Sequence, residues 1–269
     1  MFSMFSIVWT NRVLTWRLAR REIEARFRGS FLGVFWAAIM PLAMLGIYSF
    51  VFGGIFNARW VRPEQPGVLA DYGFPLVLFS GLMVFGILSE PLSRSPGLIM
   101  ENVSYVKKVV FPLEVLPFVA LISALINMVI TLAVFLAVFL LFHGLPPATI
   151  LFLPIVLLPV MLMTLGIVYL LSSLGVFLRD LKQVMPILTA ALLFLAPVFY
   201  PLSVVPEAYR SLMLLNPLTL GVLFAQDVIF WGRLPDPLAW GGYLLASILV
   251  FAAGSWWFLR TKKAFADVL

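Results

Sequence analysis

Residues 115–178 read VLPFVALISALINMVITLAVFLAVFLLFHGLPPATILFLPIVLLPVMLMTLGIVYLLSSLGVFL, 64 positions between Glu114 and Arg179 without Asp, Glu, Lys or Arg. A hydrocarbon core roughly 30 Å thick is crossed by about 20 helical residues, so the stretch is long enough for two crossings. In its middle, His143-Gly144-Leu145-Pro146-Pro147 is a turn signal that divides it into predicted spans near 115–142 and 148–178.

Gaps between charges locate the other spans, because an ionised side chain is costly in hydrocarbon. There are 30 uncharged positions between Arg28 and Arg59, 18 between Asp71 and Glu90, 24 between Lys182 and Glu207, and 23 between Asp236 and Arg260. The 18-residue gap reaches spanning length by taking in Asp71 or Glu90 at an interface. The fold class is therefore all-α integral membrane, with six transmembrane helices. An even number of crossings returns both termini to one side. That side carries 14 Lys and Arg, and the other carries 4: Arg59, Arg62, Arg210 and Arg233. The positive-inside bias puts both termini in the cytoplasm.

Composition agrees. Of 269 residues, 63% are hydrophobic and 11% charged, and the mean hydropathy is +1.09. Typical globular chains are about 45–50% apolar and about 25% charged. A soluble domain with so few charges could not cover its surface, which excludes a nucleic-acid-binding domain, a disordered chain and a disulfide scaffold. The net charge of +6 matters through its distribution rather than its sum. With no Cys and one His, the chain has no ligand set for a zinc site. Met1–Thr10 has neither a positive n-region nor a small-residue cleavage site, so no removable signal peptide is expected.

Three segments depart from simple spans. In the first, residues 1–30, Trp9, Val13, Trp16, Ile23 and Phe27 fall on one helical stripe interrupted by Arg20. Arg17, Arg21, Glu24 and Arg28 lie on another face, with Glu22–Arg26 and Glu24–Arg28 spaced as i,i+4 pairs. Aromatic residues on one face and arginines on the other suit an amphipathic helix lying in the membrane interface; an ordinary positive-inside anchor is the alternative. The second is the loop 90–114, longer than a connection needs, with breaks at Pro96-Gly97 and Phe111-Pro112. A short helix between those breaks could plug into a partner; a solvated loop is the alternative. The third is 201–226, where Pro201, Pro206 and Pro217 follow Pro197 yet Ser211–Gln226 stays apolar. Short re-entrant helices against protein or a water-filled cavity account for both features; an amphipathic external loop is the alternative.

The absences are as informative. There is no phosphate-binding Gly-x-x-x-x-Gly-Lys-Ser/Thr loop. No carboxylate, Lys or Arg is expected inside the spans away from their ends, where ion-coupled carriers keep such groups. The lone His143 reads as a turn residue. A membrane-bound acyl or glycosyl transferase would need acidic or His clusters that the sequence lacks. If the chain transports, another subunit supplies the work.

The run from Arg20 through Arg28 to Trp36, then Pro41, resembles the start of type-2 ABC exporter permeases, in the branch that exports O-antigen, capsule and teichoic acid. Gly81, Asn102, Lys107-Lys108-Val109-Val110-Phe111-Pro112-Leu113-Glu114-Val115-Leu116-Pro117, Arg179-Asp180, Pro197-Val198-Phe199-Tyr200-Pro201, Val205-Pro206-Glu207 and Asn216-Pro217 continue the pattern in order, over about residues 12–262. Val84-Phe85 stands where many relatives have a Trp soon after the second-span glycine.

The resemblance implies a homodimer in the bacterial inner membrane, each copy bound by a separate cytoplasmic ABC ATPase subunit (two copies in all). That partner would carry ATP and magnesium, with no cofactor or metal in this chain. The substrate would be a polysaccharide on undecaprenyl diphosphate; a drug or small-lipid exporter of the same fold is the alternative. The domains would be 1–30, interface helix; 31–262, six-helix transmembrane domain; and 263–269, cytoplasmic tail. The ATPase would meet Arg17, Arg20, Arg21, Arg28, Arg94, Glu101, Asn102, Lys107 and Lys108. Pro201, Pro206, Glu207, Arg210, Asn216 and Pro217 would belong to the periplasmic gate. Among 25 Phe, 8 Trp and 7 Tyr, candidate channel-lining rings are Phe31, Phe35, Trp36, Tyr48 and Phe52 in the first span, and Phe194, Phe199 and Tyr200 in the fifth. Flat rings stack on sugar faces without needing charge; membrane packing and interfacial belts are their other common use.

Overall fold

The computed structural model describes residues 2–58, 60, 73–106 and 111–269, with the backbone alone at Phe2, Ser3, Phe27 and Val34. Every regular element among the described residues is helical. Helices α1 (Phe2–Thr10) and α2 (Arg12–Phe27) form the N-terminal segment. They meet at Asn11, whose amide donates to the Ile7 carbonyl at 2.8 Å.

Five helical stretches are long and apolar enough to cross a membrane. The first is α3 (Trp36–Tyr48) continued by a π-helical turn, Ser49–Ile55. The second is α4 (Phe74–Arg94), prolonged by a 3₁₀ turn to Gly97. After the short α5 (Val103–Val106) in the connecting loop comes α6 (Val115–His143). The fourth span, Ala148–Phe177, comprises a 3₁₀ turn, α7 (Leu153–Val156) and α8 (Leu158–Phe177). The last is α12 (Pro237–Thr261), followed by α13 (Phe265–Val268). Between α8 and α12 lie α9 (Leu181–Phe194), α10 (Glu207–Leu214) and α11 (Thr219–Phe230).

Two expectations change. The fifth span, expected across 183–206, is instead the 14-residue α9. At 1.5 Å per residue it is about 21 Å long, short of the hydrocarbon core. It ends where Pro197 disfavours helix in the residue before it, and Pro201 and Pro206 keep the following chain from resuming. Helices α10 and α11 meet at a 95° bend, so the described residues hold five helical stretches long and apolar enough to cross a membrane, or six if that pair counts as one broken span. The second span takes in Glu90 near its end, as its length required, but continues helically through Arg94, so the expected loop 90–114 begins later.

Helix α4 is the centre of the bundle. Most of its residues are buried, whereas the α3 span buries only Leu45 and sits at the periphery. The tightest pairing is α8 with α12, where Gly166 faces Gly254. A Cβ on Gly166 would lie 2.6 Å from the Phe251 nitrogen, so small residues set the helix separation. The C-terminal segment 263–269 is not a free tail: Phe265 is fully buried against Phe258 and Phe177. Below, the terminal end is the end of the bundle near both termini, and the distal end is the opposite one.

Candidate functional site

At the terminal end, α2 crosses the ends of α4 and α6. Leu18 and Ala19 pack on Val115 and Val119. Helices α2 and α4 each carry Glu four residues before Arg, and they meet in opposite directions, so each acid finds a base. Glu22 pairs with Arg94, and Arg26 with Glu90. The second Glu90 oxygen accepts from the Asn127 amide at 2.9 Å, and Arg26 also reaches the Ser123 hydroxyl at 3.3 Å. Burial, and next the Arg94 cation, lower the Arg26 pKa; Glu22 opposes them. The four charges cancel, which is how a carboxylate survives inside a span. In place of the Glu22–Arg26 and Glu24–Arg28 pairs expected within the helix, α2 holds Arg20–Glu24 at 2.7 Å and commits Glu22 and Arg26 to α4. The signal was present in the matched spacings 22/26 and 90/94.

The loop after α4 is bolted on three sides. Lys182, at the start of α9, binds Glu101 at 2.9 Å. Lys262, at the end of α12, binds Glu114, whose side chain is 4% exposed. The Tyr169 hydroxyl donates to the Glu114 carbonyl at 2.6 Å. Arg21 donates to the Tyr105 hydroxyl at 2.9 Å, and Tyr105 stacks on Phe111. Between α2 and this loop lies a polar cavity of about 250 Å³ bordered by Arg21, Glu22, Arg94, Glu101, Asn102 and Tyr105.

Most residues expected to meet a partner therefore share this end. Arg94 and Glu101 are engaged in ion pairs within the chain, and Asn102 donates to the Leu98 carbonyl at 2.8 Å. Arg17, Arg20 and Arg28 are exposed. Lys107 and Lys108 lie outside the described residues. The aromatic stripe divides: Trp9, Val13 and Trp16 are exposed, whereas Ile23 is buried.

The aromatic candidates fall into separate groups. Phe31 and Phe35 are exposed and Trp36 half-buried at the start of the first span. Tyr48 and Phe52 join Phe56, Phe74 and Trp60 in a ring cluster at the distal end. Phe194 stacks on Phe199 with ring centroids 5.4 Å apart, beside Tyr200, which donates to the Phe194 carbonyl.

The proline-rich segment is held by its own polar contacts. Arg210 donates to the carbonyls of Val205 at 2.8 Å and Ser203 at 3.0 Å, which fixes the approach to α10. The buried Asn216 donates to the Leu192 carbonyl near the end of α9, and its Oδ1 caps the Leu218 nitrogen. Tyr243 donates to the Pro217 carbonyl. Gly221 lies near Val84, midway along α4, while Phe230 meets Phe135 and Phe139 at the distal end. Helix α11 thus runs from mid-bundle to the distal end. On α10, Glu207 is exposed and Met213 buried, whereas Leu212 and Leu214, with Leu215 just after the helix, are exposed on the single chain.

A sequence model of the family described as "ABC-2 type transporter" matches residues 13–230. The chain is 29% identical over 262 residues to the O-antigen export system permease protein RfbA of Myxococcus xanthus, covering 97% of this chain and 96% of that one. It is 24% identical over 260 residues to the protein of the same name from Klebsiella pneumoniae, covering 94% and 93%. It is 27% identical over 227 residues to the polysialic acid transport protein KpsM of Escherichia coli, covering 84% of each.

Proposed function

Because the chain belongs to the ABC-2 type transporter family, we propose that it is the membrane subunit of an ATP-driven exporter of polysaccharide, working as a homodimer with two cytoplasmic ATPase subunits in the bacterial inner membrane. It is a permease rather than an enzyme: hydrolysis belongs to the partner. The observation that carries the substrate class is similarity over nearly the whole chain to a protein named for O-antigen export. We take the cargo to be linked to undecaprenyl diphosphate.

In this reading both termini are cytoplasmic, and the ATPase seats on the loop after α4, including Lys107 and Lys108, and on the exposed Arg17, Arg20 and Arg28 of α2. Nucleotide-driven closure of the ATPase pair moves that loop. The ion pairs to Lys182 and Lys262 deliver the motion to α9 and α12. Helix α9 hands it to the α10–α11 segment through Asn216, which acts as the periplasmic gate. The exposed rings of the first span and of α9 would face the glycan path between two copies.

Deleting the gene and restoring it on a plasmid tests the reading. Loss of surface glycan, with lipid-linked glycan accumulating inside and recovery on complementation, is the expected result. Unchanged surface glycan in the deletion strain would refute it.

A further inference from the structure

We propose that the cleft between α3, α4 and α6 is a contact site for a hydroxylated, uncharged stretch of the glycan; this rests on the polysaccharide reading above. The first observation is a ladder on α6. Across its 29 residues, Ser123, Asn127, Thr131 and the terminal His143 are the polar side chains. The first three are spaced i, i+4, i+8 and share one face. A helix surrounded by lipid gains nothing from such a ladder, so the face is turned to protein or to a polar ligand.

The second observation is the space beside it. A cleft of about 350 Å³, open on one side, borders Asn127 and Thr131 and is walled by Met40, Met44, Tyr48 and Gly86. Its volume lies within the roughly 300–1,000 Å³ of small-ligand clefts. Glu90, Asn127, Thr131 and Tyr48 all line it. The hydroxyls of Thr131 and Tyr48 make no hydrogen bond among the described residues, and Asn127 keeps its amide oxygen after donating to Glu90. A Cβ at Gly86 would meet nothing within 4 Å, so the glycine leaves room in the wall.

These groups choose among occupants. A hydrocarbon tail would leave the two hydroxyls and the amide oxygen unmatched. An ionic headgroup finds no surplus charge, because Glu22, Arg26, Glu90 and Arg94 already cancel. Sugar hydroxyls both donate and accept, which suits hydroxyl and amide partners, while sugar C–H faces rest on Tyr48 and the exposed Met40 and Met44, whose flexible thioethers adapt to differing residues. Weak, adaptable contacts also suit a cargo that must be released.

The test places the photoreactive p-benzoylphenylalanine at Met44 or at Leu82 of the full-length chain in glycan-producing cells. Light-dependent adducts carrying the glycan are expected at both positions and should be lost when Gly86→Trp fills the cleft. Separately, Asn127→Leu with Thr131→Val should lower export at least fivefold at unchanged protein level and unchanged ATPase co-purification, with Thr131→Ser retaining export. Adducts containing phospholipid only, or no adduct while surface glycan still depends on the chain, would overturn the cleft assignment and leave the function standing. Surface glycan that persists without the chain would overturn both.

Discussion

Single charged residues at the terminal end do unequal work, and burial ranks them. Glu114 is 4% exposed against Lys262, so Lys262→Met should strand a buried carboxylate and cost about 3–5 kcal/mol. The Glu114→Gln, Lys262→Met double variant should recover part of that loss, because no charge is then left buried. Glu101 and Lys182 are 59% and 46% exposed, and Lys182→Met should cost only about 0–1 kcal/mol. Thermal unfolding in detergent checks the ranking: equal losses for Lys262→Met and Lys182→Met would contradict it. Arg26 and Glu90, at 30% and 24% exposed, fall between the two cases. Either single reversal, Arg26→Glu or Glu90→Arg, should destabilise by about 1–3 kcal/mol, and the double reversal should restore most of it. A double variant no better than the worse single one would show that the pair does not couple α2 to α4.

At the scale of elements, the α8–α12 contact gives a prediction within one helix. A Cβ on Gly254 would run into the Gly166 carbonyl, whereas one on Gly241 would meet nothing within 4 Å. Gly254→Ala should therefore destabilise the fold by about 1–3 kcal/mol as the helices are forced apart, seen as a lower unfolding midpoint. Gly241→Ala should be neutral or slightly stabilising, as Ala favours helix over Gly by roughly 1 kcal/mol; the same loss at both positions would refute this. Which elements were legible in the sequence follows from the same physics. Spans bounded by charges and turns, such as α6 between Glu114 and Gly144, were readable because hydrocarbon forbids unpaired charge. Helix α4 takes in Glu90, as its short charge gap required, but its continuation to Arg94 and the pairing of Glu90 with Arg26, 64 residues away, were not readable, because a gap between charges carries no information about such a partner. The fifth span misled because apolarity continues past Pro197 while helix does not. At the terminal end, the exposed arginines of α2 were found from sequence, but the partners of Arg94, Glu101 and Glu114 were not, since those contacts bridge segments 72 to 148 residues apart.

At the scale of the whole molecule, several helices leave apolar faces exposed on the single chain. The span containing α3 buries only Leu45, and α9 only Met185. These two elements, with α10, present the faces a second copy or lipid must cover. Trp16, exposed on α2, belongs to the same account: with the helix at the membrane interface, its fluorescence should be quenched by brominated lipids in vesicles. Insensitivity to the quenchers would place the helix in water. A cysteine at Glu207 should react with a membrane-impermeant thiol reagent from outside, while Met213, buried in the chain, should stay protected; uniform reaction through 202–226 would make the segment an ordinary loop. The proposed role, moving glycan with work supplied by a partner ATPase, unites these surfaces. It is tested most directly by reconstituting the chain, with the ATPase that co-purifies with it, into vesicles loaded with radiolabelled lipid-linked glycan. Translocation should require ATP and both proteins and should fail when the ATPase cannot hydrolyse. Translocation by the chain alone, or none with both proteins and ATP present, would contradict it.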